Sequence, residues 1–352
     1  MRGKLIELLL VPVLFFWLIQ VVAAQPTPKQ ALLALSKHDH TLAIIDPATL
    51  HVIAKLPVGP DPHEVVASFD GTKAYVSIYG GGRYHALSVL DLVARKALPD
   101  IDTGGLNGPH GEAFVGGKLW FTAEGAKAVG RYDPATNKID WIMGTGQNRT
   151  HMLYVTSDEK QVYTTNVSSA TVSILELVQL PPMGPPPAST GAQPPPQPPQ
   201  QRMDWNQTVI PVGKGDEGFD VSPDGRELWT ANAQDGSLSI IDLASKKVTA
   251  TLDAKILGSN RLKFTPDGKR VFITSLRDGN LFIYDAGSRK EYKRVPIGHG
   301  AAGIQMDPSG ARAFVACTPD NYVTVVDLKT LEVAGKIDVG TEPDGLAWAV
   351  RE

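Results

Sequence analysis

Apolar and polar positions along the chain follow one recurring unit of about 42 residues. It is plainest in Pro266-Asp267-Gly268-Lys269-Arg270-Val271-Phe272-Ile273-Thr274-Ser275 followed by Asn280-Leu281-Phe282-Ile283-Tyr284-Asp285. A turn triplet leads into an aromatic-rich strand, a second strand closes on an acid, and a third strand follows. The closing acid recurs as Asp46, Asp91, Asp133, Glu176, Asp242, Asp285 and Asp327, spaced by 42 to 45 residues except for 66 between Glu176 and Asp242. One four-stranded sheet cannot bury both of its faces alone, whereas seven set radially can. The period therefore predicts an all-β fold, a seven-bladed β-propeller with four antiparallel strands per blade.

Within one unit the pattern gives an inner strand A over 218–222, the turn Pro223-Asp224-Gly225, strand B over 227–231, strand C over 238–242 and strand D over 247–252. Proline presets φ and glycine accepts a positive φ, so the triplet predicts a tight A–B turn. The acid closing strand C is predicted to bond the backbone of the C–D turn, which makes the seven acids structural markers. The last strand A, at 345–350, has no B, C or D after it. The missing three stand at 32–36, 41–46 and 51–56. The C-terminal strand is thus predicted to pair beside the N-terminal one and clasp the ring, leaving no free sheet edge.

Two stretches depart from the repeat. Residues 1–24 place Arg2 and Lys4 before an apolar run that ends in Val22-Ala23-Ala24. This reads as a secretory signal peptide, with a retained membrane anchor as the alternative. Residues 25–352 then form a single propeller, periplasmic or secreted, expected as a monomer with no membrane span once the signal is removed. Residues 181–204, rich in Pro-Pro pairs, cannot build a core and read as a disordered insertion between strands C and D of the fourth repeat. Cys317 is the only cysteine, so an intrachain disulfide and covalent c-type haem attachment are both excluded. The net charge of −3 gives no bulk pull toward nucleic acid.

The stretches Tyr75-Val76-Ser77, Val162-Tyr163-Thr164-Thr165-Asn166 and Leu228-Trp229-Thr230-Ala231-Asn232, with Ser-Ile-Ile-Asp closing a strand C, resemble the YVTN-type (YncE-like) propeller repeat across essentially the whole mature chain. The resemblance implies the same fold and a WD40-like ring. Relatives of that kind include exported proteins of unsettled role, propeller lactonases, lyases of the virginiamycin B type and cofactor-binding propellers, so fold alone does not choose an activity.

Candidate chemistry comes from register. Counting eight residues back from each turn glycine or its equivalent selects the residue at the channel mouth in each unit. Gly71 gives His63, Glu159 gives His151, Gly225 gives Glu217, Gly268 gives Asn260 and Gly310 gives Ala302. One residue fewer gives His110 from Gly117, and Pro343-Asp344 aligns with Pro62-His63 to give Asp344. Imidazoles together with carboxylates suit zinc, copper or iron, and could serve equally as general acids and bases. Glu64, Glu112 and Arg261 follow this ring. Asp61, Asn107, Arg149, His299 and Glu342 lie in the D–A loops, and His38, Asp39, His40, Tyr84, His85, Glu124 and Arg277 on the B–C rim.

The sequence thus predicts an exported propeller binding a small-molecule ligand or protein partner at the mouth through His63, Glu64, His110, Glu112, His151, Glu217, Arg261 and Asp344. A divalent transition metal would fall to His63, His110, His151 and Glu217. The competing reading is a metal-assisted lactonase- or lyase-like enzyme in which His63, His110 or His151 moves protons. A protein-interaction scaffold using the Pro-rich insertion is a third. Polar residues that merely line a wet channel are the plainest alternative.

Overall fold

The computed structural model describes residues 27–181 and 202–351. The predicted signal peptide therefore lies outside the described residues, as does most of the predicted insertion. Seven four-stranded antiparallel sheets form a ring, each in the order A-B-C-D except the first. There the C-terminal strand Pro343–Val350 takes the inner place beside Gln30–Ser36, with Thr41–Asp46 and His51–Pro57 outside it. Leu32 stands opposite Trp348 and Leu33 opposite Ala347, and Arg351 donates its backbone N–H to the Lys29 carbonyl at 2.7 Å. The clasp predicted from the strand inventory is present.

Burial explains why the B strands are so apolar. In Lys73–Ile78, Lys118–Ala123 and Arg270–Ser275 each residue after the first is buried, because neighbouring sheets cover both faces. Outer strands such as Lys247–Leu252 alternate between exposed and half-buried positions, as a sheet edge facing water requires. The core is accordingly a series of clusters between successive blades. One of them joins Leu33, Leu35, Val65, Val76 and Ala347 across blades 1 and 2.

The acids closing the C strands cap the following turns in six blades. Asp46, Asp91, Asp133, Asp242, Asp285 and Asp327 accept backbone N–H bonds at 2.7–2.9 Å. Glu176 differs, pairing with Lys246 and Gln161 instead. Its blade explains the difference, because strands C and D run on past it. Thr171–Leu180 pairs with Arg202–Pro211 as far as Leu180 opposite Arg202. Residues 202–204, predicted within the disordered insertion, are therefore strand. The extension is anchored by Trp205, whose ring lies 4.9 Å from that of Trp141 in blade 3.

Candidate functional site

The counting rule lands on one structural position. His63, His110, His151, Glu217, Asn260, Ala302 and Asp344 are each the second residue of an inner strand. In all seven blades the A–B ladder slips at this point, so the residue sits in a bulge that turns it out of the pleat and toward the mouth. Buried hydroxyls fix three of the junctions. Thr122 Oγ1 accepts the Gly111 N–H at 2.9 Å and donates to the His151 carbonyl of the next blade at 2.5 Å. Thr165 links Met152 to Glu217 in the same way, and Thr274 links Arg261 to Ala302.

Two residues before each mouth residue the backbone is left-handed, with φ between 55° and 78° at Asp61, Gly108, Arg149, Gly215, Gly258, Gly300 and Glu342. Four blades use glycine there. Asp61, Arg149 and Glu342 hold that conformation at a cost of about 1 kcal/mol each, and the first two of them bond directly to mouth residues.

His151 is the centre of the chemistry. It is buried, and its Nδ1 donates to Glu124 Oε1 in a short hydrogen bond. Its Nε2 lies 2.9 Å from Glu217 Oε2, an ion contact whose angle is too oblique for a well-aligned hydrogen bond. Arg149 bridges the same two carboxylates, with Nη1 2.9 Å from Glu217 Oε1 and Nε 3.5 Å from Glu124 Oε2. Tyr79 donates to Glu124 Oε2 at 2.6 Å. Glu124 itself is held by its backbone. Its N–H donates to the Gly108 carbonyl, and at the adjoining Gly125 a Cβ would fall 2.6 Å from the carbonyl oxygen of Gly82.

These contacts set the charges. Burial alone would lower the His151 pKa, yet Glu217 and Glu124 outweigh it and raise it, favouring the imidazolium. The same contacts hold Glu217 at about 2 and keep Glu124 below the ordinary carboxylate value against the opposing effect of burial. His110 goes the other way. Burial, then the neighbouring His151, His63 and arginine charges, push it well below the ordinary histidine value. A neutral imidazole thus lies against a cationic one, their ring centroids 3.9 Å apart. Asp216, behind Glu217, is pushed up to about 7 by burial.

A pH dependence follows. Because the folded pKa of His151 is raised, the stability its carboxylates supply is fully present below the unfolded value of about 6.5. It is lost as pH rises through the raised folded value. The stability gap between the wild type and His151→Gln is expected to be widest near pH 5–6 and to narrow in alkali. A gap that stays flat from pH 5 to pH 9 in chemical denaturation would show that the imidazole is neutral.

The structure divides the predicted ligand residues between two levels. At the mouth, His63 donates from Nε2 to Asp61 at 3.0 Å, which holds Asp61 at about 2, and its ring lies 5.1 Å from that of His110. Asp344 pairs with Lys37 at 3.2 Å. Asn260 is buried and Ala302 brings no donor atom. One level down, Glu64 and Arg261 form an ion pair that crosses the channel between blades 2 and 6. Glu112 lies beside this pair with neither oxygen partnered, and burial, then the Glu64 charge, raise its pKa well above the ordinary value. These three residues line a 260 Å³ channel cavity. His38, His85 and His299 stay at the exposed rim, paired with Asp39, Asp102 and Asp320.

His110, Glu124 and His151 form a buried group whose donor atoms lie within 4.8 Å of one another and which could hold a metal ion. Donors bound 2.0–2.2 Å from one ion stand no more than roughly 4.4 Å apart, so only a small contraction would be needed. The donor set suits the task, because His110 Nδ1 is buried without any hydrogen-bond partner among the described residues. Sequence reasoning placed Glu124 on the rim and passed over Tyr79 and Asp216. Tyr79, immediately after a strand B of the repeat, carried no signal of its own.

No family model matches the chain, and no curated protein matches it. Solved structures do. A functionally unknown protein from Desulfotomaculum acetoxidans is 12% identical over 92% of this chain and 99% of its own, with a TM-score of 0.72. A putative 6-phosphogluconolactonase from Bacteroides uniformis is 15% identical over 91% and 99%, with a TM-score of 0.67. A chain of Kuenenia stuttgartiensis hydrazine synthase is 18% identical over 81% and 89%, with a TM-score of 0.64. The shared property is the propeller fold.

Proposed function

We propose that this protein is an exported propeller of the YVTN type that binds a small molecule at the mouth of its channel, through a divalent transition metal held by His110, His151 and Glu124. Glu217 stands ready as a further ligand from the next blade. The observation that carries the reading is the unpartnered, buried His110 Nδ1 beside a histidine clamped by two carboxylates. A bound metal would polarise or orient an oxygen of the ligand. The protein's own contribution is placement. Glu124 and Glu217 fix the His151 ring, Tyr79 and Arg149 fix the carboxylates, and His110 is kept neutral and able to accept a proton or a ligand bond.

A hydrolase or lyase reading has one specific support. His110 is a neutral base within a few ångströms of a cationic acid, His151, and such a pair can move a proton without outside help. Fold likeness to the putative lactonase agrees with it without adding to it, at 15% identity. Turnover of simple lactones by the metal-loaded protein separates this reading from pure binding.

Titration calorimetry with zinc tests the main proposal. One ion per chain is expected to bind, and more tightly at pH 8 than at pH 6, because the proton held by the raised pKa of His151 must leave first. Release of one proton per ion corresponds to about tenfold in affinity per pH unit below that pKa. No heat, and no metal retained by protein purified from its native compartment, would leave the scaffold reading in its place.

A further inference from the structure

Between blades 5 and 6 the rim opens into a 420 Å³ cleft lined by Glu217, Gln234, Gly258, Leu276 and Arg277. That is room for a small molecule. The cleft ends inward on Glu217, which touches His151, so it is an approach to the metal group from the side of the ring that carries only Asn260 and Ala302.

Two arginines set the charge such a cleft would receive. Arg277 is laid along the wall, its stem so close to Gly258 that a Cβ there would fall 2.7 Å from Arg277 Cγ. Its guanidinium has no ion-pair partner among the described residues. A planar guanidinium fork without a partner, beside the apolar surface of Leu276 and Ala233, is suited to a two-point bond with an oxyanion. Arg149 does not line the cleft but touches its inner residue, Glu217; it is half-exposed and spends its charge on Glu124 and Glu217. A divalent cation on those carboxylates would compete with Arg149 for them and leave its guanidinium available to an anion. Glu217 does not oppose an anion in the metal-free protein, because His151 and Arg149 balance it, and in the loaded protein a divalent cation beside it would take over that role.

We propose that the mouth takes a small molecule carrying an oxyanion, a carboxylate or a phosphate, whose charged end pairs with Arg277 in the cleft between blades 5 and 6. Its far end reaches the His110, Glu124 and His151 group, and Arg149 serves as a second cation. The proposal rests on the metal-binding reading for the far end, while the anion site itself stands on Arg277 and the cleft.

Calorimetry with succinate, inorganic phosphate and the neutral succinamide, on zinc-free and zinc-loaded protein at low ionic strength, tests it. Succinate or phosphate is expected to bind, whichever does so identifying the charged group, with succinamide at least about tenfold weaker. Arg277→Gln is expected to weaken the anion by about tenfold or more, with its melting curve confirming that the ring is intact. Arg149→Gly, which suits the left-handed backbone, should lose the enhancement that zinc brings. Equal binding of succinamide and succinate, no binding of either anion, or unchanged anion affinity in Arg277→Gln overturns the proposal. Anion binding by a protein that takes up no zinc would defeat the metal reading and leave the anion site standing, whereas zinc uptake without anion binding would do the reverse.

Discussion

His151→Ala is expected to strip the proposed metal from the protein and to cost about 3–5 kcal/mol of stability, the range found when one partner of a buried ion pair is removed. Both losses have one cause. The imidazolium lies between Glu124 and Glu217, and without it two poorly solvated carboxylates share only Arg149. His110→Ala makes the informative contrast. Its imidazole is neutral and its Nδ1 unpartnered, so the substitution should remove metal affinity by a comparable factor, about a hundredfold or more, while leaving no charge unbalanced. Metal content by elemental analysis, set beside guanidinium midpoints, reads the two effects separately. A His151→Ala protein with wild-type metal content and midpoint would show that the clamp has neither role.

A chain ended at Glu342 is expected to lose cooperative folding altogether. The deletion removes the inner strand of blade 1, with Leu346, Ala347 and Ala349 from the core and six facing residue pairs along Gln30–Ser36. It also bares that strand as an open edge and leaves the inner strand of blade 2 without one neighbour. The loss is comparable with the ~5–15 kcal/mol that holds an average domain together. Far-ultraviolet circular dichroism during denaturant unfolding checks it, and a truncated chain that unfolds at the wild-type midpoint would mean that the ring does not depend on its clasp.

Much of this architecture was legible before any coordinates, for a physical reason. A repeat that must stack on its own copy repeats its buried positions, its turn glycines and its capping acids at fixed offsets, so counting from one turn places His63, His110, His151 and Glu217 at equivalent points. The counting failed where offsets stop being fixed. Glu124 and Tyr79 sit where B–C connections begin, and loops of differing length give no direction for a side chain. Glu64 and Arg261 are one residue past the mouth position, and Glu112 is two past His110. The bulge carries all three down into the channel, away from the histidines. Glu176 looked like the other closing acids because its strand matches theirs up to that point. Only the pairing beyond it, from Leu177 opposite Trp205 onward, reveals a longer hairpin.

The hydroxyls that rivet blade to blade give the ring a direction. Thr122, Thr165 and Thr274 each accept a hydrogen bond from an amide of their own blade and donate one to a carbonyl of the following blade, so that support passes around the mouth in a single sense. A disturbance at Thr122 is therefore felt downstream, at the backbone of His151, as well as at the His110–Gly111 peptide of its own blade. Blades 3, 4 and 5 behave in this respect as a chain of dependants, and the residue that holds the clamp in place is owned by its upstream neighbour.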